Sequence, residues 1–267
     1  MSQNSHPLLI RSIPRYARLP RPVVARVETL PPGSLTPWHS HDWWQLAWAM
    51  RGVLNLETRQ ASFVAPPQRA IWVPPDIEHQ ATNSSHTEMR SLYVARELMS
   101  WAPERCHVVE ISPLVRELIL SLGSLPTDYP ENERNERLIG VLIDQLAMLP
   151  EVAFNLPMPE DARLSRICAA LQLQPDDRRT MSEWAAHAGL SERSLARLFA
   201  LQTGMSFGEW RQRLRLLLAI NALERGERVT SVALDAGYAS ASAFIAAFRR
   251  NFGLTPTGMF RQETARQ

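Results

Sequence analysis

The stretch TMSEWAAHAGLSERSLARLFALQTG, residues 180–204, decides how the second half of this chain reads. Thr180 with Glu183 three residues later forms a capping box, so a helix starts here. Ala185, Ala186 and Ala188 are small and let another helix cross closely. Gly189 supplies a tight turn, where a positive φ costs it little. Ser191 caps a second helix, expected from Glu192 to about Gln202. Leu195, Leu198 and Phe199 face inward on it, while Arg193, Ala196 and Arg197 lie along one outer side. A short helix, a glycine turn and a second helix with outward arginines make the helix-turn-helix pattern.

Residues 230–256, TSVALDAGYASASAFIAAFRRNFGLTP, repeat the design. Val232, Ala233 and Ala236 precede Gly237, which follows Gly189 by 48 residues. Tyr238 takes the place of Leu190, and Ser240 caps a helix running to about Asn251. Phe244 and Phe248 face inward, and Arg249 and Arg250 end the helix. Between the two units, Ser206 and Glu209 form another capping box, which opens a long helix ending at Gly226. Two recognition helices on a rigid connector can enter successive major grooves, about 10 bp apart.

From about residue 162 to 261 the chain resembles the DNA-binding domain of the AraC/XylS family of transcription regulators. The likeness is carried by AAHAGLSERSLARLF, TGMSF and VALDAGYASASAFIAAFRRNFGLTPTGMFR. In the last of these, Ala233, Gly237, Tyr238, Ser242, Phe244, Phe248, Arg249, Gly253, Thr255, Pro256, Phe260 and Arg261 follow the family signature. The resemblance implies double-stranded DNA as partner. It implies contacts from Arg193, Ala196 and Arg197 on the first recognition helix, and from Ala241, Ser242, Ile245 and Ala246 on the second. Arginine bonds guanine bidentately, so the first set suits base reading. Alanine and isoleucine reach thymine methyls or nothing, and Arg249 and Arg250 suit phosphates there.

The charge fits such a partner. Residues 160–267 hold 15 Arg against 11 Asp and Glu, whereas residues 1–159 hold 14 against 16. Every basic residue is arginine. No apolar run is long enough to span a bilayer, and the N-terminus MSQNSHPLLIRSIPRY lacks a signal peptide's features. The cysteines, Cys106 and Cys168, fall in different halves, so a disulfide framework is not expected and a cytoplasmic location is.

Residues 22–95 read as short strands punctuated by proline and glycine, as in a small barrel or sandwich. Within them, Gly33–Gly52 contains His39, His41 and Gln45 at the spacings of the first cupin motif. Pro74, Asp76, His79 and Asn83 resemble the second motif, with Asp76 in place of its glycine. The resemblance implies a small barrel holding three histidines and Gln45 inside. His39, His41, Gln45, His79 and Trp72 are the expected effector-binding residues. Three imidazoles and an amide oxygen also suit a divalent Fe, Mn, Ni or Zn ion. Gln45 brings no charge to offset one, and hydrogen bonding to an effector is the other reading. His6, His86, His107 and His187 lack ligand spacing.

Leucines recur every four residues over 112–149, which predicts two helices that either cover the barrel or form a dimer seam. LPEVAFNLPMPED, residues 149–161, carries Pro150, Pro157 and Pro159 and reads as a linker. The expected class is α+β in two domains. Residues 1–155 form a cupin-like barrel (about 22–95) with helices (about 112–149), and residues 160–267 form an all-α domain with two helix-turn-helix units. The expected function is DNA-binding regulation under a small-molecule effector, by a chain that is no enzyme. The alternative is a metal-dependent cupin enzyme, a dioxygenase or isomerase, with a helical appendage.

Overall fold

The alternating segments of the first half fold as strands. The computed structural model describes residues 9–13, 16–83 and 85–260, so His6 and Arg261 lie outside the described residues. In chain order the strands are β1 (Leu9–Ile10), β2 (Val23–Leu30), β3 (Ser34–His39), β4 (Trp44–Arg51), β5 (Leu54–Thr58), β6 (Ala61–Ala65), β7 (Arg69–Val73), β8 (His79–Asn83) and β9 (Thr87–Val94). Three more follow, β10 (His107–Glu110), β11 (Glu151–Val152) and β12 (Asn155–Pro157). One sheet contains β1-β3-β8-β5-β6 in that order and the other runs β11-β10-β7-β4-β9-β2.

The second sheet is covered on both faces. All five residues of β7 and the first six of β4 are buried, as a doubly covered strand requires. Trp44, Leu46, Trp48 and Trp72 pack in one cluster with helices α1 (Pro113–Gly123) and α2 (Glu133–Ala147), through Val115, Ile119, Leu122, Leu142 and Leu146. The leucine-rich helices thus cover the second sheet. Ser112 and Asn132 cap them by accepting from the Val115 and Asn135 amides at 3.2 and 3.0 Å.

The chain divides into two compact units. The first comprises 1–58 and 63–153, and the second comprises 154–267 with Arg59–Ser62. The segment expected as a linker is not a loose tether. Phe154 and Leu156 are buried, and Phe154 stacks on Phe252 at 4.6 Å inside the second unit. Proline lacks an N–H but keeps its acceptor, and all three carbonyls are used. Pro150 accepts from the Glu110 amide at 3.0 Å, Pro157 from Trp210 Nε1 at 2.7 Å and Pro159 from Ser165 Oγ at 2.5 Å.

The second unit continues with α3 (Ala162–Leu173), α4 (Met181–His187), α5 (Glu192–Thr203), α6 (Phe207–Glu224), α7 (Val229–Asp235), α8 (Ala241–Phe252) and α9 (Pro256–Phe260). Both capping boxes form, Thr180 with Glu183 and Ser206 with Glu209. The repeat is close. The Leu190 amide donates to the Ala185 carbonyl and the Tyr238 amide to the Ala233 carbonyl, each at 2.9 Å. Gly204 and Gly253 end the recognition helices in left-handed conformation. The second turn is one residue longer, since α4 and α7 start 48 residues apart and α5 and α8 start 49 apart. Among the described residues, no helix is long and apolar enough to cross a membrane.

Within the second unit, helix α6 braces both helix-turn-helix pairs. Arg215 donates to the Pro175 and Asp177 carbonyls at 2.6 and 3.2 Å, in the loop before α4. Its guanidinium also closes against the second turn: a Cβ on Gly237 would lie 3.3 Å from Arg215 Cζ, whereas one on Gly189 would meet open space. Both glycines have positive φ, 66° and 78°. Gly189→Ala is expected to cost about 1–2 kcal/mol from the backbone alone. Gly237→Ala carries the same backbone cost and must also push the Arg215 guanidinium aside by a few tenths of an ångström. Urea unfolding of the two variants checks this, and equal losses would show that Arg215 moves freely.

Candidate functional site

Two sites emerge, one in each unit. The first lies between the two sheets. His39 ends β3 and His79 begins β8, and the two are direct cross-strand partners beside a register shift between Thr36 and His39. His41 lies in the loop after β3 rather than on the strand. The loop is tied to the second motif by the Asp76 amide, which donates to the His41 carbonyl at 2.9 Å. Asp76 has φ 64°, a left-handed backbone that explains why glycine suits this place in the motif. Exposed Arg96 holds Asp42 at 2.6 Å and Asp76 at 2.5 Å, across the mouths of the two loops. Gln45, from β4, completes the set from the opposite sheet.

The three imidazoles converge. Their donor atoms lie within 4.8 Å of one another, and the His39 and His79 ring centres are 4.2 Å apart. Each Nδ1 lies 2.8 Å from a backbone carbonyl: His39 from Pro37, His41 from Trp43 and His79 from Ile77. A carbonyl there accepts the Nδ1 proton and leaves the Nε2 lone pair free, as in metal-binding histidines. Burial lowers all three pKa values, that of His79 to about 3, so the rings stay neutral.

His41 poses a sharper problem. Its Nε2 lies 2.9 Å from Gln45 Oε1, yet a neutral imidazole has one N–H and Nδ1 already faces a carbonyl. One of the two oxygen contacts lacks a proton. Turning the Gln45 amide would satisfy it, with NH₂ toward His41 and the oxygen toward the Ser91 hydroxyl. A cation bound to both Nε2 and Oε1 would satisfy it equally. Two ligands at right angles, each about 2.1 Å from an ion, stand about 3 Å apart. The donor set therefore fits a divalent ion.

Trp72 is not at this site. It stands opposite Leu46 in the β4–β7 register and shares that residue's face, against the α1 and α2 cluster. Side chains alternate along β4, so Gln45 and Ala47 face the cavity while Trp44, Leu46 and Trp48 turn away. Trp43 is the tryptophan that lines the cavity, and it stacks on His41 at 5.1 Å.

Sequence reading missed Arg11, Arg26 and Tyr93, which also line it. Arg11 donates to Thr36 Oγ1 at 2.7 Å and pairs with Glu28, and Arg26 pairs with Glu28 at 2.6 Å. Among the described residues, Arg11 Nε and Trp43 Nε1 are buried donors without partners. No motif marks these residues. The alternation of β9 would have shown Ser91 and Tyr93 on one face. The cavity encloses about 30 Å³ of free volume. That is room for an ion or a water or two, against the several hundred Å³ of an organic ligand site.

The second site is the outer face of α5 and α8. Arg193 and Arg197 are exposed on α5 and Ala196 is half-buried. On α8, Ser242, Ile245, Ala246, Arg249 and Arg250 are exposed. Among the described residues, the side chains of Arg193, Arg197, Arg249 and Arg250 make no ion pair or hydrogen bond. Other arginines of the unit are committed to structure: Arg163 to Asp161, Arg179 to Asp177, Arg225 to Glu227, and Arg211 and Arg215 to loop carbonyls.

Residues 21–187 match the family described as AraC-like ligand binding domain, and residues 184–262 match a helix-turn-helix domain. The HTH-type transcriptional regulator NimR of Escherichia coli K12 is 34% identical over 221 residues, covering 83% of this chain and 81% of that one. The HTH-type transcriptional regulator RipA of Corynebacterium glutamicum is 35% identical over 101 residues, which cover 38% of this chain and 30% of that one. A solved structure of ToxT from Vibrio cholerae with a bound unsaturated fatty acid covers 88% of this chain and 93% of its own. Its identity is 12% and its TM-score 0.37, too loose a likeness to carry weight. The paired helix-turn-helix units, the cupin-like first unit and the match to NimR over most of both chains have one meaning: this protein belongs to the AraC family, as a DNA-binding transcription regulator with a ligand-binding N-terminal domain.

Proposed function

We propose that the chain binds a two-part operator through α5 and α8, and that occupancy of the histidine cavity sets the strength of that binding. The observation that supports it most is the pair of like helix-turn-helix units with unpaired arginines on their outer faces. Arg193 and Arg197 read bases, Arg249 and Arg250 hold phosphates, and Ser242 and Ala196 lie at the contact. Selection of duplex DNA from a random pool tests the reading: a recurrent sequence supports it, and retention of none rejects it.

The effector site comprises His39, His41, Gln45 and His79, with Trp43 replacing Trp72. A divalent transition-metal ion is the occupant that best fits a cavity of this size, held by the three histidines with the Gln45 amide oxygen beside them. Bound there, it would supply positive charge and a Lewis acid to the cavity. An occupant acts on DNA binding only through unequal affinity for two states of the protein. The cavity has a sensing rather than a catalytic role in this reading, in keeping with the regulator relatives. The protein works in the cytoplasm, where free Cys106 and Cys168 stay reduced. Two copies pair through α1 and α2, on which Leu114 and Val141 stay exposed at 50% and 46%. Sedimentation velocity of the full chain checks this, and a monomer at all concentrations would refute it.

Arg197→Ala should weaken operator binding by about 1–3 kcal/mol and relax preference at one or two base pairs. Removing the charges of Arg249 and Arg250 should instead weaken binding to all sequences alike and flatten the salt dependence. Titrations of both variants at several salt concentrations separate the two effects. Unchanged affinity for Arg197→Ala would refute base reading by α5.

Calorimetric titration of the full chain with Zn(II), Mn(II), Fe(II) or Ni(II) should show one site per chain. His39→Ala with His41→Ala should weaken it by more than about 100-fold, beyond the loss from one second-shell partner. Operator binding without metal should stay unchanged in that variant. A normal metal response in the double variant would place sensing elsewhere.

A further inference from the structure

The two recognition helices share one construction and carry opposite chemistry. Their burial runs in phase at an offset of 49: Leu195 and Phe199 of α5 are buried, and so are Phe244 and Phe248 of α8. The outward positions therefore correspond. Arg193 answers to Ser242, Ala196 to Ile245 and Arg197 to Ala246. Where α5 presents two guanidinium groups, α8 presents one hydroxyl, an isoleucine and an alanine. Ile245 is 36% exposed, on a face with no apolar neighbour but Ala246 among the residues that line its groove. That open groove is formed by Ser242, Ile245, Ala246, Arg249, Arg250 and Thr255. Its arginines lie one turn beyond Ile245 and Ala246, so phosphates can seat the helix while the apolar side chains approach the base edges.

In the major groove the four bases offer donors and acceptors, and one apolar group, the C5-methyl of thymine. An aliphatic side chain there gains nothing from guanine or adenine edges. We propose that α8 specifies its half-site by reading thymine methyls through Ile245 and Ala246, while α5 specifies the other by arginine hydrogen bonds. Cytosine at the α8 positions is then disfavoured for want of a methyl group, and 5-methylcytosine restores part of the affinity. The inference rests on the reading that α8 enters DNA.

The test uses the full chain and the duplex recovered from a random pool. Each thymine in turn is replaced by deoxyuridine, which removes the C5-methyl alone. One or two thymines, outside the half-site whose preference relaxes in Arg197→Ala, should lose about three- to tenfold in affinity, the scale of burying one methyl group. At the thymine that Ile245 reads, the same substitution should cost Ile245→Ala nothing further. A C·G pair at those positions should bind several-fold tighter once its cytosine carries a 5-methyl group. If no deoxyuridine substitution weakens binding by the wild-type chain, or if the penalty persists undiminished at every such thymine in Ile245→Ala, methyl reading by α8 is overturned. A chain that retains no duplex overturns this inference and the DNA-binding reading together. A chain that loses operator affinity in Arg197→Ala yet ignores every thymine methyl overturns this inference alone.

Discussion

The burial of α6 is the constraint on which the DNA-binding unit depends. Phe207, Trp210, Leu214, Leu216, Leu217, Ala219, Ile220 and Leu223 are all buried along it, so its apolar surface wraps well beyond one stripe. A helix of that kind is core, packed on several sides. It stands between the two helix-turn-helix units in the chain and fixes both. Phe199 of α5 meets Trp210 at 5.7 Å and Phe207 at 5.3 Å, and Arg215 touches the first loop and the second turn together. Two recognition helices held this way have a set spacing before DNA arrives, which lowers the ordering cost of binding.

The arginines show why net charge is a coarse guide. The second half carries 15 of them, but several serve as internal fasteners. Arg211 and Arg215 bond carbonyls, and Arg179 lies 3.6 Å over the buried Trp184 ring. The guanidinium group suits this work because it offers five donors in a rigid fork. Arg193, Arg197, Arg249 and Arg250, exposed on the outer faces of α5 and α8, are among the charges not committed in this way.

In the first unit, the two-residue period of β4 turns Trp44 and Trp48 away from the histidine cavity, which Trp43 lines from just before the strand. Trp44 and Trp48 go with Trp72 to the helix-covered face, and Gln45 and Ala47 go to the cavity. The same parity leaves the histidines in a small, enclosed space walled by both sheets. Burial there keeps the imidazoles neutral and their Nε2 lone pairs available. The cavity of about 30 Å³ has room for an ion or a water or two.

Much of this was legible in residue spacing. The capping boxes, glycine turns and serine caps of the helical half act over three or four residues, so local sequence determined where its helices begin and how its outer faces lie. The cupin motifs likewise marked His39, His41, Gln45 and His79, because their spacing reflects two short loops. What local sequence could not decide was anything that depends on register or on distant partners. Trp72 is placed by pairing opposite Leu46 on another strand. Arg11 reaches the cavity from a segment without a motif. The proline-rich stretch 150–159 reads as linker by composition, yet distant amide, indole and hydroxyl donors capture its carbonyls. Spacing determines which residues share a face of one element. Only the tertiary structure decides what that face meets, because burial and hydrogen bonding are settled between elements far apart in the chain.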